Sequence, residues 1–159
     1  MIKTTPRQGF MARNILFLAM FMMTLSGLSL SSCGHDETSK LPREIQQFIS
    51  KYFAGQGVSS YDESAGSYTV NLDNSATLVF NSSLVWKAVD GNGGTLPQQF
   101  LYDEFPAILY DYIVTTDNLA NVYSVTRDNK VYTVTFHNNI ISYSIANGEI
   151  KPVVTGSGE

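Results

Sequence analysis

Tyr68-Thr69-Val70-Asn71-Leu72 and Tyr132-Thr133-Val134-Thr135-Phe136 are near-copies of one another. Each alternates apolar and polar residues, the period of a strand with one face in a core and the other outside it. Each runs into a turn signal, Asp73-Asn74 in the first and His137-Asn138 in the second. Tyr68 and Tyr132 lie 64 residues apart. The same offset joins Pro42 to Pro106, Ile45 to Leu109, Phe48 to Tyr112, Ile49 to Ile113 and Val58 to Val122. One offset linking helical as well as strand positions predicts two tandem units, 41–91 and 96–154.

In the first unit Leu41-Pro42 opens a helix, because a proline in the first turn lacks only an N–H that would have no helical partner. Leu41, Ile45, Phe48, Ile49, Tyr52 and Phe53 form its apolar stripe, and Gly55 and Gly57 stop it. Four strands follow: Val58 to Tyr61, Ser67 to Leu72, Ala76 to Phe80 and Leu84 to Val89. Asp62-Glu63-Ser64-Ala65-Gly66 reads as the first turn. Asp90 to Thr95 is glycine-rich and reads as a flexible joint. In the second unit Leu96-Pro97 repeats the opening and Pro106 interrupts the helix. Ile108, Leu109, Tyr112 and Ile113 continue the stripe. Asn121 to Thr126, Lys130 to Phe136, Ile140 to Ile145 and Glu149 to Val154 are its strands, with Asn147-Gly148 a strong hairpin signal. Strands this short need the helices to hide their apolar face. The predicted class is α+β in two layers, with helices on one face of one antiparallel sheet.

Residues 1–32 have the layout of a secretory signal peptide: Lys3, Arg7 and Arg13, then the apolar run Ile15 to Met23, then small and polar residues. The leader works from Met1 or from Met11. Its apolar run is shorter than the roughly 20 residues a spanning helix needs. Leu30-Ser31-Ser32-Cys33 resembles the bacterial lipobox, which makes Cys33, the sole cysteine, the acylated first residue of the mature chain. Acyl chains anchor by burying methylenes at about 0.8 kcal/mol each. Gly34 after the cysteine favours the outer membrane by resemblance to Gram-negative sorting patterns. Residues 33–40 are then a polar tether, and 155–159 a fraying tail.

The whole chain has 159 residues and a formal charge of −4, which becomes −7 without the three leader cations. An acidic body with scattered Lys and Arg disfavours nucleic-acid binding. No catalytic, cofactor or metal constellation emerges. His35 lies in the tether and His137 at a strand end, which do not make a zinc set. Asp90-x-Asn92-x-Gly94 resembles part of a calcium loop, but Leu101 stands where such a loop has its bidentate Glu. Asp62-Glu63 and Asp103-Glu104 are adjacent pairs, unlike acids facing each other across a cleft. The chain reads as a non-enzyme without cofactor.

The remaining candidate is the sheet face away from the helices. If Tyr68, Val70 and Leu72 point inward, Thr69, Asn71, Thr77, Val79, Thr133 and Thr135 point to that face. It is either a surface for a protein or peptide partner or an ordinary solvated face. Trp86 is either a core anchor or an exposed member of the same surface.

Leu-Pro opening an amphipathic helix, Tyr-x-Val-x-Leu-x-Asn, and a Phe-turn-Trp-Lys segment ending in Val89-Asp90-Gly91, behind a lipoprotein leader, resemble the PepSY-like family. Members of that family are also described as beta-lactamase-inhibitor-like. The resemblance covers about residues 41–150. It implies helices on one face of a sheet built from two repeats, and a secreted binding module of inhibitor-like character. Two features depart from the family pattern: Asn81-Ser82-Ser83 at the third turn, and no Trp matching Trp86 in the second unit. An accessory envelope lipoprotein without a dedicated ligand is the alternative; a hydrolase would need a pocket of converging polar groups. The sequence leaves oligomeric state open.

Overall fold

The computed structural model describes residues 37–153. The leader, Cys33 and residues 154–159 lie outside that range, and so do the expectations for them. Three α-helices, α1 (Arg43–Tyr52), α2 (Gln98–Glu104) and α3 (Ala107–Thr115), accompany eight strands. The strands are β1 (Val58–Ser64), β2 (Ser67–Leu72), β3 (Thr77–Phe80), β4 (Trp86–Asp90), β5 (Val122–Arg127), β6 (Val131–Phe136), β7 (Ile140–Ser144) and β8 (Ile150–Pro152). They pair in chain order into one open antiparallel sheet. No helix among the described residues is long and apolar enough to cross a membrane.

Every helix starts after a proline, Pro42, Pro97 or Pro106, each with φ near that of its ring and ψ between 130° and 146°. The break between α2 and α3 follows from Pro106. Its ring disfavours helical backbone at the residue before it, and Phe105 is extended at φ −89°, ψ 145°.

Helix side chains meet one face of the sheet. Phe48 stands edge-on to Phe80 at 5.2 Å between ring centroids, Phe100 to Trp86 at 5.2 Å and Phe105 to Tyr132 at 5.9 Å. Facing the helices is one register row that crosses all eight strands: Tyr61, Val70, Leu78, Val89, Val125, Val134, Ile141 and Pro152. Ile45, Leu109, Ile113, Val70, Val89, Val125 and Val134 are wholly buried in the resulting core. The ladder Val58↔Leu72, Ser60↔Asn71, Tyr61↔Val70, Asp62↔Thr69, Glu63↔Tyr68 recurs as Val122↔Phe136, Ser124↔Thr135, Val125↔Val134, Thr126↔Thr133, Arg127↔Tyr132. Both copies carry a bulge at the same place.

Four expectations are corrected. β1 runs on through Asp62, Glu63 and Ser64, and only Ala65 and Gly66, at φ 51° and 75°, make the turn. An edge strand tolerates charged side chains because one side of it is open to water. The joint at Asp90 to Thr95 is tied to both halves. Asn92 Nδ2 donates to Ser75 O and Thr77 Oγ1, Gly91 N to Tyr123 O, and Leu96 N to Val122 O. A side chain at Gly91 would collide with the Gly94 carbonyl, so this close approach needs glycine. Residues 37–40, expected as free tether, form a 3-10 turn against β1, closed by a Lys40–Glu37 ion pair of 2.7 Å. Finally, Ile108 and Tyr112, expected in the core stripe, are 58% and 36% exposed. Only Leu109 and Ile113 of that stripe are buried.

Candidate partner surface

Pleating alone sends alternate residues to the side away from the helices. Thr69, Asn71, Thr77, Val79, Thr133 and Thr135 all lie there, each partly exposed between its neighbours. Register joins them into two rows. One runs Asp62, Thr69, Val79, Ala88, Thr126, Thr133, Ser142, Lys151, across the whole sheet. Its middle six residues are small and uncharged, and an acid and a base close its ends. The other runs Ser60, Asn71, Thr77, Asp90, Ser124, Thr135, Ile140. Alternation within a strand finds Thr69 or Thr133. Ala88, Thr126 and Ser142 join them only through pairing between strands distant in sequence.

The polar groups of this face differ in how far they are committed. On the β1–β3 side, Asn71 Nδ2 donates to Ser60 Oγ at 3.0 Å, Thr77 Oγ1 to Asn71 Oδ1 at 3.0 Å and Asn92 Nδ2 to Thr77 Oγ1 at 2.9 Å. This chain fixes side-chain direction across three strands. The side chains of Thr69, Thr126, Thr133 and Thr135 make no such bond among the described residues, and their hydroxyls are available to a partner.

Trp86 does not belong to this surface. A register shift between Val79 and Phe80 brings Trp86 opposite Phe80, on the side of Val89 and not of Ala88. Strict alternation fails across that bulge. Trp86 is 3% exposed and lies beneath the helices. Its Nε1 donates to Glu104 Oε2 at 2.7 Å, and Tyr52 OH donates to Glu104 Oε1 at 2.8 Å. The Arg127 guanidinium stands 3.8 Å over the Trp86 ring, and Arg127 Nε donates to Trp86 O at 2.9 Å. Burial pushes the Tyr52 hydroxyl upward, against the hydrogen bond from Lys51. Lys51 also pairs with Asp103 at 2.9 Å, and that contact holds the Asp103 carboxyl below its ordinary range. These groups are fully paired with one another, which is the arrangement of a structural tie between α1, α2 and β4.

Among the described residues, an open hollow of about 280 Å³ where β5 begins and β6 ends is lined by Asn118, Asn121, Tyr123, Phe136, His137, Asn138 and Asn139. His137 is exposed, and its ring lies 5.9 Å from that of Tyr123. Among the described residues no three His, Cys, Asp or Glu are placed to hold a metal ion.

No protein-family model and no curated protein matches the chain. Solved structures share its fold. One is a Bacteroides thetaiotaomicron protein provisionally described as calcium-regulated and periplasmic, 24% identical over 72% of this chain and 92% of its own, with a TM-score of 0.59. A second, from Bacteroides vulgatus, is provisionally described as periplasmic and of unknown function. It is 23% identical over 76% of this chain and 97% of its own, with a TM-score of 0.60. A third, also from Bacteroides vulgatus, is provisionally described as periplasmic and assigned to the DUF2874 family. It is 21% identical over 76% of this chain and 98% of its own, with a TM-score of 0.59. Likeness at this identity establishes the fold. In this chain the loop once compared with a calcium site is internally bonded: Asp90 Oδ1 accepts from Asn92 N at 2.7 Å, and the Asn92 amide is spent on Ser75 and Thr77.

Proposed function

We propose that the chain is an envelope binding module of the PepSY-like kind. It is held on the periplasmic side or at the cell surface by an acyl anchor at Cys33 and recognises a protein or peptide through the open sheet face. The observation that carries the reading is the uncharged middle of the long row, Thr69 to Ser142, unbroken across six strands. A merely solvated face of an acidic protein has no need to keep charge out of one whole row, and the charge that this face does carry on β4, Asp90, falls in the neighbouring row. β-branched and small side chains on a flat ladder offer methyl contact and hydroxyl hydrogen bonds together, at little loss of rotamer entropy. The leader, the Leu30-Ser31-Ser32-Cys33 sequence and the periplasmic descriptions of the structural neighbours support the location. The repeated ladder and its repeated bulge support an origin by duplication of a unit of one helix and four strands.

The test places a photo-crosslinking amino acid at Thr133, in the middle of the row, or at Gln47, on the outside of α1, in the native cell. A discrete adduct from Thr133 and none from Gln47 is expected. Equal labelling from both, or none from either, favours the accessory envelope role without a dedicated ligand. Intact-mass measurement of the mature protein should find Cys33 acylated, and Cys33→Ser should move the protein from the membrane fraction to the soluble fraction.

A further inference from the structure

The outward positions of α1 are Arg43, Glu44, Gln47, Ser50 and Lys51, all polar and exposed. The positions 64 residues further on are Ala107, Ile108, Asp111, Val114 and Thr115, also exposed. α3 is therefore apolar on both sides, unlike a surface helix that has only its inner face to bury. Ile108 is 58% exposed, Val114 44%, and Tyr102 on α2 64%. Tyr102 stands edge-on to Tyr110 at 5.4 Å, which makes the α2 and α3 surfaces continuous.

Asp111 sits at the centre. Its neighbours three and four residues away on the helix are Ala107, Ile108, Val114 and Thr115, none of them cationic. No Lys or Arg occurs between Gln98 and Asp117. Nearby acids are already engaged, Asp103 by Lys51 and Glu104 by Tyr52 and Trp86. The Asp111 carboxylate has no hydrogen bond or ion pair among the described residues.

We propose that the outer face of α2–α3, centred on Asp111 and flanked by Tyr102, Ile108, Tyr112 and Val114, docks an amphipathic segment of another protein that carries a Lys or Arg among apolar side chains. Large apolar side chains left exposed together on one surface mark an interaction site, and apolar residues at helical spacing on both flanks of Asp111 suit a second helix laid alongside. Charge decides the occupant. A second copy of this chain, related by a two-fold axis through the patch, would bring Asp111 against Asp111. A bilayer of anionic lipid would meet carboxylates and no cation. A partner cation gains a pair whose surroundings become dry on docking, where charge-assisted hydrogen bonds are strongest. This surface is separate from the open sheet face and stands or falls independently of it.

The test titrates the purified protein with a synthetic helical Leu/Lys peptide and with its Leu/Glu counterpart, read by fluorescence anisotropy. The Leu/Lys peptide should bind, and the Leu/Glu peptide should bind about tenfold more weakly or less. Ile108→Ser with Tyr112→Ser should raise Kd by about tenfold, and Asp111→Asn by several-fold with a flattened salt dependence. Asp73→Asn, an exposed acid in the β2–β3 turn, should leave Kd unchanged. These are exposed positions, and unchanged circular-dichroism melts will confirm that the variants fold. Binding indifferent to the α3 substitutions overturns the proposal, as does absence of binding. So does patch-dependent dimerisation in sedimentation, or patch-dependent pelleting with phosphatidylglycerol vesicles.

Discussion

In residues 58–72 the chain reverses through Ala65 and Gly66, both in the left-handed region, at φ 51° and 75°. In residues 122–136 the matching reversal has no residue at positive φ and is held instead by Asp128, whose Oδ1 accepts from Lys130 N and Val131 N, each at 2.7 Å. Between those turns and the bulges the two ladders agree residue for residue in register. Val58 and Val122 are 1% and 0% exposed, and Val70 and Val134 are both fully buried. The halves part company at the surface in Glu63 against Arg127, and inside the core at one place, where Trp86 stands opposite Phe80 in the first half and Ile150 opposite Tyr143 in the second. Burial constrains size and period, so matched interiors follow from needing to cover the same kind of core. Turns and outer faces carry no such constraint. The mixed-charge outside of α1 and the apolar outside of α3 are therefore free to differ, and that difference points to use.

The sharpest way to break the description of two halves on one core is Phe100→Ala. Phe100 is fully buried and its ring packs with Phe48, Tyr52, Trp86 and Phe105, so it touches the helix and the last strand of the first half from the second. A loss of about 3–5 kcal/mol in urea unfolding is expected, with fluorescence and circular dichroism still reporting one transition. Two separated transitions would mean that the halves fold apart. Val70→Ala and Val134→Ala sharpen the same comparison. Each should destabilise by about 2 kcal/mol, from lost methyl burial and the cavity left behind. The two values should agree within about 0.5 kcal/mol. A large inequality would show that one half carries the core and the other leans on it.

The eight strands were readable because alternation of apolar and polar residues is a local signal, and Asn, Asp and Gly marked where most of them stopped; Asp62 misled, because β1 is an edge strand that runs on through it. The α2–α3 break was readable from Pro106 for an equally local reason. Trp86 was unreadable, because its direction depends on a bulge set by the partner strand. Ile108 and Tyr112 were misassigned to the core because apolar residues on both sides of α3 look like one wide stripe when only spacing is available. Of the open face, alternation placed Thr69, Asn71, Thr77, Val79, Thr133 and Thr135. It could not supply Ala88, Thr126 and Ser142, nor the Asp62 and Lys151 that end the row, since those depend on pairing across the whole sheet.

The smallest expected effects concern the turns themselves. Ala65→Gly should stabilise by about 0.5 kcal/mol, because glycine adopts positive φ without the crowding a Cβ suffers there, offset in part by its greater freedom when unfolded. Asp128→Ala should lower the melting temperature by a few degrees, since two backbone donors lose their acceptor. Asp128→Asn keeps a carbonyl oxygen in the same place and should lose less. Its pH dependence separates the two roles of the carboxylate. The hydrogen bonds from Lys130 N and Val131 N are the main reason the Asp128 carboxyl is held below the ordinary aspartate value of 3.8. A depressed value in the folded chain means that the stabilisation is fully present above pH 3.8 and is lost as pH falls through the lower folded value. Wild type should therefore exceed Asp128→Asn in melting temperature at neutral pH, and the gap should close below that value. The glycine-type turn of the first half contains no such group, so Ala65→Gly should shift the melting curve by the same amount at every pH. A gap between wild type and Asp128→Asn that persists in acid would assign the second turn to shape alone and erase the distinction between the two reversals.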